Sequence, residues 1–162
     1  MAKFQVGKGL DEYIANLGNL EFRTPEIVGK AIFDGAKIVA DQIRANIEAL
    51  PVQSGPVNRN ERREPTQVEK DGMLAALGIA KMQNDGGFYN VKIGMDGYNA
   101  AKPTKKYPRG KANAMVARSI NAGTTWINRH PFINQAVNQT KALAEEAMKN
   151  RIEQDSAEIM NN

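Results

Sequence analysis

From Val28 to Leu50, apolar residues return every three or four positions: Val28, Ile32, Ala36, Val39, Ile43, Ile47 and Leu50. That period predicts one long helix with a single buried stripe. Thr24 suits its N-cap, Pro25 its first helical position and Glu26 its positive end. Pro51 stops it. Each stripe residue that is fully buried contributes about 1.5–3 kcal/mol, and a long helix needs such a stripe because propensity alone leaves it marginal. Upstream, Leu10, Tyr13, Ile14 and Leu17 predict a shorter amphipathic helix stopping near Gly18. Before it, Phe4 and Val6 alternate with polar neighbours as a short edge strand that Gly7 and Gly9 end.

Residues 51–70 hold three prolines and dense charge without a period, which predicts a long exposed loop, mobile in the free chain. Leu74, Leu77, Ile79 and Met82 lead into Asn84-Asp85-Gly86-Gly87, a turn signal, and Tyr89, Val91, Ile93 and Met95 then alternate with polar or small residues. This is the pattern of a β-hairpin with one face buried. A second irregular loop runs over 97–113, kept open by Pro103 and Pro108. Met115–Ile120 suits a strand or a short helix, alternation favouring strand, and Gly123 ends it. After Pro131 a stripe of Ile133, Ala136, Val137, Thr140, Ala144, Ala147, Met148 and Ile152 predicts a second long helix, with 155–162 as a frayed tail. The order β-α-α-β-β-β-α gives one α+β domain over 1–162: two long amphipathic helices packed on a small antiparallel sheet, with two long loops.

Charge changes this picture in one place. The chain has 162 residues and a net charge of +4, yet Lys102, Lys105, Lys106, Arg109, Lys111, Arg118 and Arg129 lie in 97–130 with no acidic residue among them. The rest of the chain is net acidic, so the basic character belongs to one segment. Such a segment meets nucleic acid or an acidic protein surface equally well. Tyr98 and Tyr107, interleaved with the lysines, suit base stacking; a solvated loop that orders against an acidic partner predicts the same composition. No apolar run is long enough to span a membrane, and the first residues carry no apolar stretch of the secretory-leader kind. With no cysteine, disulfides and thiolate metal sites are excluded.

Catalytic constellations are sparse. His130 is the only histidine, and before a helix such a residue is commonly a cap or a packing group. Asp11-Glu12 and Glu145-Glu146 suit solvated helix faces, and Asp85 belongs to the turn. No P-loop, nucleophile elbow or zinc-helix motif is present. The expectation is a protein without enzymatic activity and without a cofactor or metal. Trp126, the one indole, sits in a Gly/Thr-rich turn, where it suits core packing or an exposed interface anchor.

The order of short motifs carries one resemblance. Leu50-Pro51 ends the long helix, Gly72-Met73-Leu74 precedes the hairpin, and Gly123-Thr124 is followed by Pro131-Phe132 and the last helix. This ordered set resembles the tail-component family of long-tailed bacteriophages, the small neck or tail-completion proteins that join head to tail. Asn121 and Ala122 stand where that family often carries an acidic and then an aromatic residue, and both loops are expanded. The resemblance implies a structural virion protein, assembled in the bacterial host cytoplasm, forming a homo-oligomeric ring, six-fold by expectation, around the DNA path. Its implied partners are the tail tube or terminator protein and the head-side connector or stopper proteins, with genomic DNA passing without sequence-specific binding and no membrane involved. On this reading Arg59, Arg62, Arg63, Lys102, Lys105, Lys106, Arg109, Lys111 and Trp126 are the candidate subunit or partner interface. The rival is a nucleic-acid-binding module using 97–130; an enzyme such as a nuclease, with His130 as its acid/base group, stands third.

Overall fold

Two antiparallel helices organise the chain. The computed structural model describes residues 8–161, with side chains from residue 15 onward. Helix α1 spans Lys8–Glu48 and helix α4 spans Phe132–Met160. Between them come α2 (Gln67–Ala76), β1 (Leu77–Ile79), β2 (Gln83–Asp85), β3 (Phe88–Asn90), β4 (Ile93–Met95) and α3 (Asn113–Ala122). The architecture is α+β, as the hydrophobic pattern predicts.

The rod formed by α1 and α4 is pinned at three levels. The Asn46 side-chain amide donates to the Phe132 carbonyl at one end, Arg151 pairs with Asp34 in the middle, and the Asn16 amide donates to the Met160 carbonyl at the other end. The seam is lined by small residues: Ala31, Gly35, Ala36 and Ala40 on α1, with Ala136, Thr140 and Ala144 on α4. The backbones therefore approach closely. A Cβ on Gly35 would fall 2.7 Å from Met148 Cγ and 3.2 Å from the Ala144 carbonyl oxygen.

At the Asn46 end the rod widens into a knob. Its core joins Ile43, Ile47 and Leu50 of α1 to Met73, Leu77, Met95, Val116, Ala117, Ile120, Phe132 and Ala136. The predicted hairpin is present, with Gly86 and Gly87 at its tip, both at positive φ (66° and 97°) as a two-residue I′-type connection requires. Leu77 pairs with Met95 near the core, and Gln83 with Asn90 near the tip. The first strand carries one extra residue between these ladders, a bulge at Lys81–Met82 that divides the hairpin into two short two-stranded sheets. Met82 is thereby turned onto α1, its sulfur 3.0 Å from where a Cβ on Gly29 would lie.

Several expectations are corrected. The predicted break between Gly18 and Thr24 is absent, and Thr24 is no N-cap: its hydroxyl donates to the Leu20 carbonyl within an unbroken helix. Pro25 is tolerated because residues 21–26 are exposed, so the carbonyl it leaves without an amide faces water. The stripe begins one position early, burying Ile27 and Ala31 and leaving Val28 and Ile32 half-buried, because α4 covers that side. The loop after Pro51 ends at Thr66 and not at residue 70, because a helix the pattern did not predict, α2, begins there and carries Gly72 and Leu74 directly before β1. Met115–Ile120 is helical; Val116, Ala117 and Ile120 form its buried face. Residues 155–160 continue α4 and are not frayed: Arg151 holds Asp155 at 3.1 Å and Ile159 is buried. The expected strand at Phe4 and Val6 lies outside the described residues.

Candidate functional site

The loop between β4 and α3 is closed at its base. Asn113 N–H donates to the Gly97 carbonyl and Asn99 N–H to the Lys111 carbonyl, while the Asn99 side-chain oxygen accepts from the Ala101 and Lys111 amides. This is a compact Ω-type loop and not the open segment expected from its prolines. At its tip Thr104 and Tyr107 exchange backbone hydrogen bonds, so Lys105 and Lys106 are the two central residues of a tight turn, both exposed. Lys106 Nζ lies 5.4 Å from the centroid of the Tyr107 ring, within cation–π range.

Gly110 is the closure point. Its φ is +88°, and a Cβ there would sit 2.3 Å from the Asn99 carbonyl oxygen. Gly110→Ala is expected to cost about 2 kcal/mol through left-handed strain and this backbone clash. A lowered urea midpoint together with new proteolytic cleavage inside 97–112 checks it.

Glu69 ties the knob together. It is only 3% exposed, and its carboxylate takes both guanidinium arms of Arg63 (2.7 and 2.8 Å), Lys111 Nζ (3.2 Å) and the Thr66 amide (3.0 Å). The Thr66 hydroxyl accepts from the Glu69 amide in return, a complete capping box at the start of α2. Burial pushes the Glu69 pKa up, but the Arg63 and Thr66 hydrogen bonds and the charges of Arg63 and Lys111 outweigh it and hold the group at about 2. The 51–66 loop is fixed in the same way, by Gln53 N–H to the Pro65 carbonyl and by Arg63 bridging to Ile127.

Of the expected interface cations, Arg63 and Lys111 are thus spent on Glu69. Arg59, Arg62, Lys102, Lys105, Lys106 and Arg109 are exposed. Trp126 does not pack in the core: it is 69% exposed, held on a turn in which the Thr124 hydroxyl accepts from the Trp126 and Ile127 amides. Beside it opens a cleft of about 400 Å³ lined by Tyr107, Lys111, Met115 and Trp126. A second cleft of about 410 Å³, lined by Tyr98, Lys106, Tyr107, Arg109 and Met115, shares the Tyr107 and Met115 wall. Together they form one aromatic groove edged by cations. A third cleft, about 500 Å³, runs along α2 past Asp71, Gly72 and Asp96. Beneath it Asn99 Nδ2 and Asn113 Oδ1 are buried without hydrogen-bond partners.

The motif residues sit at joints. Leu50 and Phe132 belong to the core. A Cβ on Gly72 would lie 2.7 Å from Asn113 Oδ1, and Gly123 ends α3 at φ +75° against Arg129. Asn121 accepts from the Ile133 amide and so caps α4. His130 Nε2 meets Glu64 Oε2 at 2.5 Å, and Glu64 Oε1 accepts from the Asn128 amide, linking the 51–66 loop to the entry of α4. Among the described residues no group of three or more His, Cys, Asp or Glu side chains could hold a metal ion, and no helix is long and apolar enough to cross a membrane. Glu69 and Glu64 were not legible as site residues, although the Thr66-x-x-Glu69 spacing was a capping-box signal in plain view. Comparison with protein-family models, curated proteins and solved structures finds no match to this chain.

Proposed function

We propose that the chain is a structural protein of a bacteriophage neck, a tail-completion or head–tail joining component that forms a ring around the DNA path. The observation that carries this reading is where the resembling motif residues fall: Leu50, Gly72, Gly123, Thr124 and Phe132 each make a core contact, a close backbone approach or a turn that holds the knob together. The rod, stiffened by its small-residue seam, supplies a body that packs side by side. The two pinned loops and Trp126 supply surfaces for neighbours. Assembly takes place in the host cytoplasm and the mature location is the virion neck.

On this reading residues 102–111 engage protein and not DNA. Each phosphate neutralised adds about −0.9 to the salt slope of binding, so four exposed cations per subunit, multiplied around a ring, grip DNA that a conduit must release. Charge reversal at Lys105 and Lys106 is expected to abolish head–tail joining, leaving filled heads and free tails in electron micrographs. Normal joining with slowed DNA ejection overturns the assignment. The nucleic-acid reading draws on Tyr98 and Trp126, exposed beside those cations; it requires tight association with single strands that weakens with a salt slope of roughly −3, about −0.7 for each of the four cations.

A further inference from the structure

Charge is divided between the two halves of the molecule. Helices α1 and α4 together carry twelve acidic and eight basic residues, whereas 49–131 carries thirteen basic and six acidic. The rod is therefore negative and the knob positive. The groove on the knob is lined by aromatic rings, Tyr98 being 55% and Trp126 69% exposed, and by Lys106 and Arg109, with Lys105 exposed next to Lys106 at the loop tip. A complementary partner offers an apolar anchor flanked by carboxylates.

The outward face of α4 has that composition. Leu143 is 57% exposed on a rigid helix, and Glu146 lies one turn on, on the same side, with no ion pair to any described residue. Glu145, beside it, is only loosely matched by Lys141 at 4.0 Å, both side chains being mostly exposed. Among the described residues Phe22 and Phe33 are also large and exposed on the rod, but they are less suited, because Glu26 near Phe22 is already held by Arg23 and Lys30 and Asp34 beside Phe33 by Arg151.

We infer that the aromatic groove of one copy receives the outward face of α4 of a second copy, around Leu143 and Glu146, so that copies join knob to rod. Such a contact uses two different patches and repeats without exhausting itself, which closes into a ring when the rotation permits. The inference rests on the ring reading above and specifies its subunit interface.

The test mixes two full-length variants. Trp126→Ala with Lys105→Glu and Lys106→Glu destroys the groove; Leu143→Lys with Glu146→Lys destroys the rod patch. Sedimentation at low salt is expected to show wild type self-associating and each variant alone weakened by about tenfold or more. The mixture is expected to form a one-to-one dimer and nothing larger, since only one functional groove and one functional patch remain per pair. Because the second variant keeps the sole tryptophan, its emission is expected to shift to the blue in that dimer as Trp126 loses water. Circular dichroism and thermal melts establish that both variants are folded. A wild-type oligomer whose variants neither weaken nor complement overturns knob-to-rod docking but leaves the ring intact. A wild-type chain that stays monomeric at its highest soluble concentration overturns the docking as well; the ring itself falls only if assembled particles hold a single copy. Quenching of Trp126 by a single-stranded oligonucleotide, with self-association unchanged in the variants, transfers the groove to nucleic acid and also overturns the inference.

Discussion

Phe132→Ala is expected to cost about 3–5 kcal/mol, the range for a large aromatic removed from a closed core. The side chain is 1% exposed and packs in the cluster where α1, α2, the hairpin, α3 and α4 meet. The cavity cannot collapse easily, because Asn46 fixes the Phe132 carbonyl and Asn121 fixes the next amide. For a chain of this length the loss translates into a melting point lower by roughly 6–20 °C. Phe132→Leu is expected to recover more than half of it. Calorimetry on the two variants decides the matter; a wild-type melting point for Phe132→Ala shows that the knob is not centred on this residue.

Glu69→Gln is expected to be nearly as damaging, by about 3 kcal/mol, since it leaves Arg63 and Lys111 facing a neutral amide in a mostly buried site. The same interaction sets an acid sensitivity. The folded pKa of about 2 lies below the ordinary 4.5, so the folded state binds this proton more weakly than the unfolded chain does. Its stabilisation is complete above pH 4.5 and is lost as the pH falls from there towards 2, amounting to about 3 kcal/mol at 1.36 kcal/mol per pKa unit. Denaturant midpoints measured between pH 6 and 3 are expected to fall more steeply for wild type than for Glu69→Gln. Parallel slopes show that Glu69 is not the linked group.

What could be read from residues was the periodic part. The stripe from Ala36 to Leu50, the Gly86-Gly87 turn and the Pro131 start of α4 follow from local rules and recur in the fold. The errors have separate physical causes. Thr24-Pro25 looks like a helix start, yet packing against α4 carries the helix through it, and the carbonyl the proline leaves without a partner lies on an exposed face. In α3 the apparent alternation of Met115, Ala117 and Ser119 masks a helical face, since alanine suits either period. Glu69 was hidden among the charges of residues 51–70: composition shows that charges exist but not which will be paired inside. For Trp126 the sequence left core packing and an exposed anchor both open, and only its turn, fixed by Thr124, shows that it points out.

The fit of Met148 over Gly35 has one more consequence. Sliding α4 along α1 by one turn moves the thioether off Gly35 towards Ala31 or Val39, the same-face neighbours of Gly35, where a Cβ already stands. The two helices are therefore keyed like a calliper locked at one setting, the next setting lying a full turn of about 5.4 Å away. The knob is thereby presented at one fixed reach from the far end of the rod.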